Sequence, residues 1–135
     1  MTPGHFPSRR GCTNDLALVL IGGGIGSASR YLVSIAAGRW FGDSFAWGTM
    51  LVNLLGCLLI GFVIGLVDRA LLSRSFRILL VTGFLGGFTT FSSFSLESIR
   101  MISGGSLGKG IANIGINVVL GLALTLTGLI TASRI

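Results

Sequence analysis

Thr89, Thr90, Ser92, Ser93 and Ser95 fall within one short stretch otherwise built of glycine, phenylalanine and leucine. Asn53, the pair Asn113 and Asn117, and Arg30 stand in other apolar stretches of the chain. Hydroxyls and amides in such surroundings offer hydrogen bonds without a nucleophile–base pair. Phe91 and Phe94 alternate with the serines, and an aromatic edge carries partial positive charge. Ring edges interleaved with hydroxyl and amide donors could steady a small anion without a fixed cation that would trap it, as conduction requires.

The soluble-enzyme motifs in the chain lack their context. Gly104-Gly105-Ser106-Leu107-Gly108 has the G-x-S-x-G spacing, but no strand precedes it and no histidine lies near. Gly108-Lys109 is no phosphate loop, because Ser103 and Gly110 stand where that motif needs Gly and Ser or Thr. Gly22-Gly23-Gly24-x-Gly26 does not complete a dinucleotide fingerprint, with Ser27 and Ser29 at the possible third positions. The one histidine, His5, is in the N-terminal tail, and Cys12 and Cys57 are unsuited to a disulfide framework or a zinc site. The chain is not expected to be an enzyme.

The elements that must position these residues follow from composition. The chain has 135 residues, 51% of them hydrophobic and 10% charged, against about 25% charged in a soluble domain. Four apolar stretches run from about Leu16 to Ala37, Phe45 to Val67, Phe76 to Ile102 and Leu107 to Ile130. Each approaches or exceeds the roughly 20 residues that cross a bilayer as a helix. Polar–apolar alternation is absent, which excludes barrel strands. The expected fold is an all-α integral membrane domain of four transmembrane helices over residues 15–135. Residues 1–14, with Pro3 and Pro7, read as a polar tail expected to be disordered. Ser27-Ala28-Ser29 resembles a signal-peptide cleavage site, but Arg30 leads straight into more apolar sequence.

The third stretch is too long for one straight crossing: as a continuous helix it would reach about 40 Å, against a hydrocarbon core of about 30 Å. Glycines followed by Thr and Ser are poor helix material, so a break is expected between Gly86 and Thr90. Irregular backbone at that depth is tolerated only where it is buried in protein or lines a wet cavity. Phe84, Phe88, Phe91 and Phe94 fall on one face if the helix runs through, and Glu97 and Arg100 are spaced to pair.

The net charge of +6 comes from scattered basic residues rather than a basic stripe, so membrane topology explains it better than a nucleic-acid partner. Arg9, Arg10, Arg69, Arg74, Arg77 and Arg134 share one side of a four-span topology, and Arg30, Arg39, Arg100 and Lys109 the other. So weak a bias permits insertion in both orientations. The small-xxx-small pairs Gly22/Gly26, Gly61/Gly65 and Gly83/Gly87 permit close helix packing, within one chain or between subunits. Their presence on several helices is taken to favour an oligomer.

The stretch Gly83-Phe-Leu-Gly-Gly-Phe-Thr-Thr-Phe-Ser-Ser-Phe-Ser95 resembles the signature of the Fluc (CrcB-type) fluoride channel family. The Gly-rich run ending at Arg30 and the segment Gly48-Thr49…Asn53…Gly56 are similar to that family's first two helices. The resemblance implies an antiparallel, dual-topology homodimer in the bacterial inner membrane. It would carry two fluoride pathways and export cytoplasmic fluoride passively, conferring fluoride resistance. By position, Phe91 and Phe94 match the pore phenylalanines and Asn53 the pore asparagine. Ser92 and Ser93 match hydroxyl residues of its polar track, Arg30 the first-helix arginine, and Glu97 a glutamate after the Phe pair; Thr90, a polar group in the same span, is expected on the pathway with them. Gly86 and Thr89 match residues whose backbone carbonyls hold a structural sodium ion (Na+) at the dimer centre. Ser93 replaces the usual threonine, and Asn113 and Asn117 stand where a Ser/Thr track is implied. The alternatives are a small multidrug-resistance-type proton-coupled exporter, for which Glu97 is the one carboxylate well inside a span, and a non-transporting membrane subunit.

Overall fold

The computed structural model describes residues 9–135, and residues 1–8 of the polar tail lie outside them. Among the described residues, all regular structure is helical. Four helical spans are long and apolar enough to cross a bilayer: Cys12–Phe41, Trp47–Asp68, Arg74–Ser103 and Leu107–Ser133. The chain is a multi-pass membrane protein. Residues 9–14, read above as tail, instead form the start of the first helix, Arg9–Phe41. Once a long helix exists, adding a turn at its end is cheap, because the nucleation cost is already met. That helix ends at Gly42, whose φ of +73° suits a residue without Cβ.

Polar ties link the spans at both membrane edges. The Arg74 guanidinium pairs with the Asp15 carboxylate, and Arg69 Nη1 donates to Ser133 O at 2.9 Å. These join the first span to the start of the third, and the end of the second to the C-terminal end, on one side. On the other side Lys109 Nζ donates to Ser44 O at 2.9 Å. Lys109 therefore turns away from Asn113 and Asn117 and serves the loop.

Between the edges, glycines set the packing. The first span runs along Ile78–Leu85 and Gly86–Phe88, and the second along Gly121–Ser133. A Cβ on Gly26 would collide with the Phe84 carbonyl, and one on Gly87 with the Gly23 carbonyl. Across the other pair, a Cβ on Gly61 would strike Thr125 O and one on Gly128 would strike Leu58 O. All three small-residue pairs therefore pack against the same chain and give no sign of a subunit interface. Gly26→Ala is expected to lower the thermal midpoint in detergent by the equivalent of about 1–3 kcal/mol, since backbone cannot yield to the new methyl. Gly24→Ala, where the space is open, should leave that midpoint in place.

The third span is where the fold departs from regularity. Ser73 caps its start by accepting from Phe76 N–H, and Arg74–Arg77 leads into a π-wound stretch, Ile78–Leu85. After Gly86–Phe88 the backbone opens at Thr89 (φ −85°, ψ 159°) and Thr90 (φ −152°, ψ 117°), then resumes as Phe91–Ser103. The break falls inside the predicted interval, at its two threonines, while Gly86 stays helical (φ −62°, ψ −36°). Two extended residues reset the helical phase, so the phenylalanines do not form one stripe. Phe84 and Phe88 stack with centroids 5.5 Å apart, and Phe91 and Phe94 make a separate tilted pair, also at 5.5 Å. The first half of the span lies against the first helix, and Phe91–Ser103 lies against Leu107–Gly115.

Candidate functional site

A peptide group opened at mid-membrane must find hydrogen bonds, and the second span supplies them at Thr90. Thr90 N–H donates to Asn53 Oδ1 at 2.9 Å, and Asn53 Nδ2 donates to Thr90 O at 3.2 Å. The asparagine amide stands beside the extended residue as a neighbouring strand would. Its nitrogen also donates to Asn117 Oδ1 at 3.1 Å. Thr89 turns its hydroxyl back to Leu85 O at 2.9 Å.

Beyond the break a new helix starts, and its first N–H groups make a partially positive end. Thr90 Oγ1 caps it by accepting from Ser93 N–H at 3.3 Å. The Thr90 hydroxyl lies 3.2 Å from Ser93 Oγ and 3.3 Å from Ser92 Oγ. A cluster of hydroxyls thus sits on a helix N-terminus inside the membrane span, with no charged side chain in it.

A cavity of about 210 Å³ opens beside this cluster, lined by Asn53, Cys57, Thr89, Thr90, Phe91, Phe94, Asn117 and Val118. None of these residues carries a carboxylate, ammonium, guanidinium or imidazole group. Phe94 is buried, whereas Phe91 is 79% exposed and forms the open side. Of the expected site residues, the structure brings Asn53, Thr90, Phe91 and Phe94 to one cavity, with Ser92 and Ser93 joined to it through Thr90. Arg30 is not among its lining residues; it is half-buried in the first span and, among the described residues, has no ion-pair partner.

The two carbonyls matched to a sodium ion have both lost their helical donors. Thr90 N–H, which would serve Gly86 O in a continuous helix, goes to Asn53. Ser93 N–H, which would serve Thr89 O, goes to Thr90 Oγ1. Uncharged oxygens freed in this way suit a hard cation.

Glu97 does not pair with Arg100. One carboxylate oxygen accepts from Thr49 Oγ1 at 3.0 Å, and the other is buried without a hydrogen-bond partner. Spacing alone permitted the Arg100 pair, but Thr49 on the second span lies closer to hand. Asn117, read from the sequence only as one of several intramembrane polar groups that together suggest a pathway, and Cys57, which sequence reasoning left without a role, both line the cavity. The signal for Asn117 was its spacing four residues from Asn113, which puts two amides on one helix face.

The family model described as "CrcB-like protein, Camphor Resistance (CrcB)" matches residues 17–129. The chain belongs to the CrcB-like family. Among curated CrcB-like relatives, one from Agrobacterium fabrum is 47% identical over 116 residues, covering 85% of this chain and 93% of its own. Another, from Legionella pneumophila strain Lens, is 48% identical over 118 residues, covering 87% and 88%. A third, from Clostridium perfringens strain ATCC 13124, is 44% identical over 115 residues, covering 84% and 90%. Each carries the name "Fluoride-specific ion channel FluC". The CrcB-like match takes in the break, the hydroxyl cluster and every residue that lines the cavity.

Proposed function

We propose that the chain is the subunit of a passive, fluoride-selective channel of the plasma membrane that lets cytoplasmic fluoride leave the cell. The observation that carries this is the break itself. Hydroxyls, a helix N-terminus and two phenyl rings meet at one cavity inside a span, with no cationic side chain in its lining to hold an anion fast. The naming of three relatives as fluoride-specific channels supports the same conclusion.

Fluoride enters cells with acid as neutral HF and is trapped as the anion at neutral pH. An inside-negative potential, worth about 2.3 kcal/mol per charge per 100 mV, then drives it outward through any open path. No fuel or proton relay is needed, and the activity is transport rather than catalysis. Phe91, Phe94, Asn53, Thr90, Ser92 and Ser93 are assigned to the pathway, and Arg30 to its aqueous approach.

A single chain leaves the cavity open on the Phe91 side, with Ser92 exposed at membrane depth. Polar groups facing lipid are costly, and a second copy would cover them. The near balance of Lys and Arg across the spans favours an antiparallel, dual-topology homodimer with two pathways. Gly86 O and Thr89 O of each copy would hold a structural sodium ion between them. The ion would supply a fixed positive charge that neutralises four carbonyl dipoles.

The test is efflux from proteoliposomes loaded with fluoride or chloride. Fluoride should leave and chloride should stay. Equal passage of both ions, or no fluoride flux, overturns the proposal.

A further inference from the structure

The fourth span offers amides where hydroxyls were implied, and both are engaged. Asn117 Oδ1 accepts from Asn53, and Asn117 Nδ2 donates to Asn113 O at 2.9 Å and to Asn113 Oδ1 at 3.1 Å. Asn113, fully buried, passes its own Nδ2 to Ser98 Oγ at 2.8 Å. Ser98, also buried, donates to Phe94 O at 2.7 Å. The bonds run in one direction, from the peptide group of Thr90 through Asn53, Asn117, Asn113 and Ser98 to the backbone of Phe94. The third span from Thr90 to Phe94 closes the ring.

We propose that Asn113 and Asn117 are positioning residues of the pathway, which set the orientation of the Asn53 amide and lock the register of Phe91–Ser103 against the break. This rests on the channel assignment above. An amide has a donor end and an acceptor end, and Asn53 serves Thr90 only when its oxygen faces the N–H and its nitrogen the carbonyl. Flipping it would set donor against donor and acceptor against acceptor at both Thr90 contacts. Asn117 presents an oxygen to Asn53, which the correct orientation alone can use. Asn117 in turn must direct its nitrogen toward Asn113, because both acceptors there are oxygens. Asn113 anchors the series at 0% exposure, where water cannot substitute for a missing partner.

The backbone assists the arrangement. The fourth span is π-wound over Ile116–Leu120, so the winding changes just where Asn117 turns back to the Asn113 carbonyl. Such turns accommodate a side chain that bonds into the helix and recur at functional sites. Neither asparagine needs to touch the anion. Asn113 is no lining residue and reaches the cavity through Asn117 at one end and through Ser98 and Phe94 at the other, and both donor hydrogens of Asn53 are already spoken for.

The experiment measures fluoride flux per active channel and the fraction of active liposomes separately, for the full-length protein and for Asn113→Ala. A residue that serves folding alone lowers the active fraction and leaves the rate per channel unchanged. A positioning residue lowers the rate of channels that are correctly assembled. The expected result is a fall of about tenfold per channel, the rate equivalent of one lost buried hydrogen bond, with the fluoride-to-chloride ratio reduced. An unchanged rate and ratio per channel overturns the proposal. Should Asn113→Ala fail to yield folded protein, Ser98→Ala removes a single oxygen at the far end of the series. It should slow each channel about threefold or more, and an unaltered rate there overturns the proposal equally. Wild-type liposomes separate the two levels: no wild-type flux defeats the channel assignment, whereas equal wild-type and variant rates defeat the positioning role alone.

Discussion

Asn53→Asp should reduce fluoride efflux about a thousandfold or more, while the protein still inserts and purifies. Two effects act together. Asn53 Nδ2 donates to Thr90 O at 3.2 Å and Asn117 Oδ1 at 3.1 Å, and a carboxylate would face both oxygens with no proton to give. Its charge would also stand on the wall of the cavity beside Phe91 and Phe94. Two like charges about 4 Å apart repel by about 4 kcal/mol at an effective dielectric constant near 20, which alone is close to a thousandfold in rate. Fluoride-electrode recordings of proteoliposome efflux measure this, and rapid flux through Asn53→Asp would remove Asn53 from the pathway. Asn53→Ser, which deletes the clamp without adding charge, should fall between wild type and Asp.

The second large effect concerns the rings. Phe91→Ile and Phe94→Ile keep apolar bulk but lose the positive edge that an aromatic ring can present to an anion. Each should slow fluoride by about tenfold or more, taking an edge contact as about 1.4 kcal/mol of lost stabilisation. The pair differ in stability. Within the chain Phe94 is 8% exposed and Phe91 79% exposed, so thermal melts should shift more for Phe94→Ile than for Phe91→Ile. Slowed flux from a variant with an unshifted melt separates an effect on conduction from an effect on folding. Unchanged flux in both variants would detach the rings from the pathway.

The spans were legible because apolar length is a strong signal, and the break was legible because glycines, threonines and serines defeat a continuous helix from within the sequence. Its phase was not legible. The glycines stay helical and the two threonines open, since the decision rests on Asn53, a partner 37 residues away. The supposed stripe from Phe84 to Phe94 failed for the same cause: spacing assumes unbroken winding. Glu97 illustrates a second limit. Residues three apart can pair, but Thr49 on another span was the available donor. The glycine pairs carry no label saying which backbone they admit, and here each admits one from the same chain. Asn113 and Asn117 were visible as amides on one face, but an amide's orientation depends on every neighbour in the series.

The clamp at Thr90 also bears on what the membrane must not leak. A bare peptide group at mid-bilayer would recruit water, and an unbroken file of water molecules passes protons. Because Asn53 satisfies both the N–H and the C=O of Thr90, these two groups make no demand on water. A gap in a helix whose backbone is paired in this way is expected to recruit no proton-carrying file of its own, and so to spare the gradient on which a cell's energy supply depends.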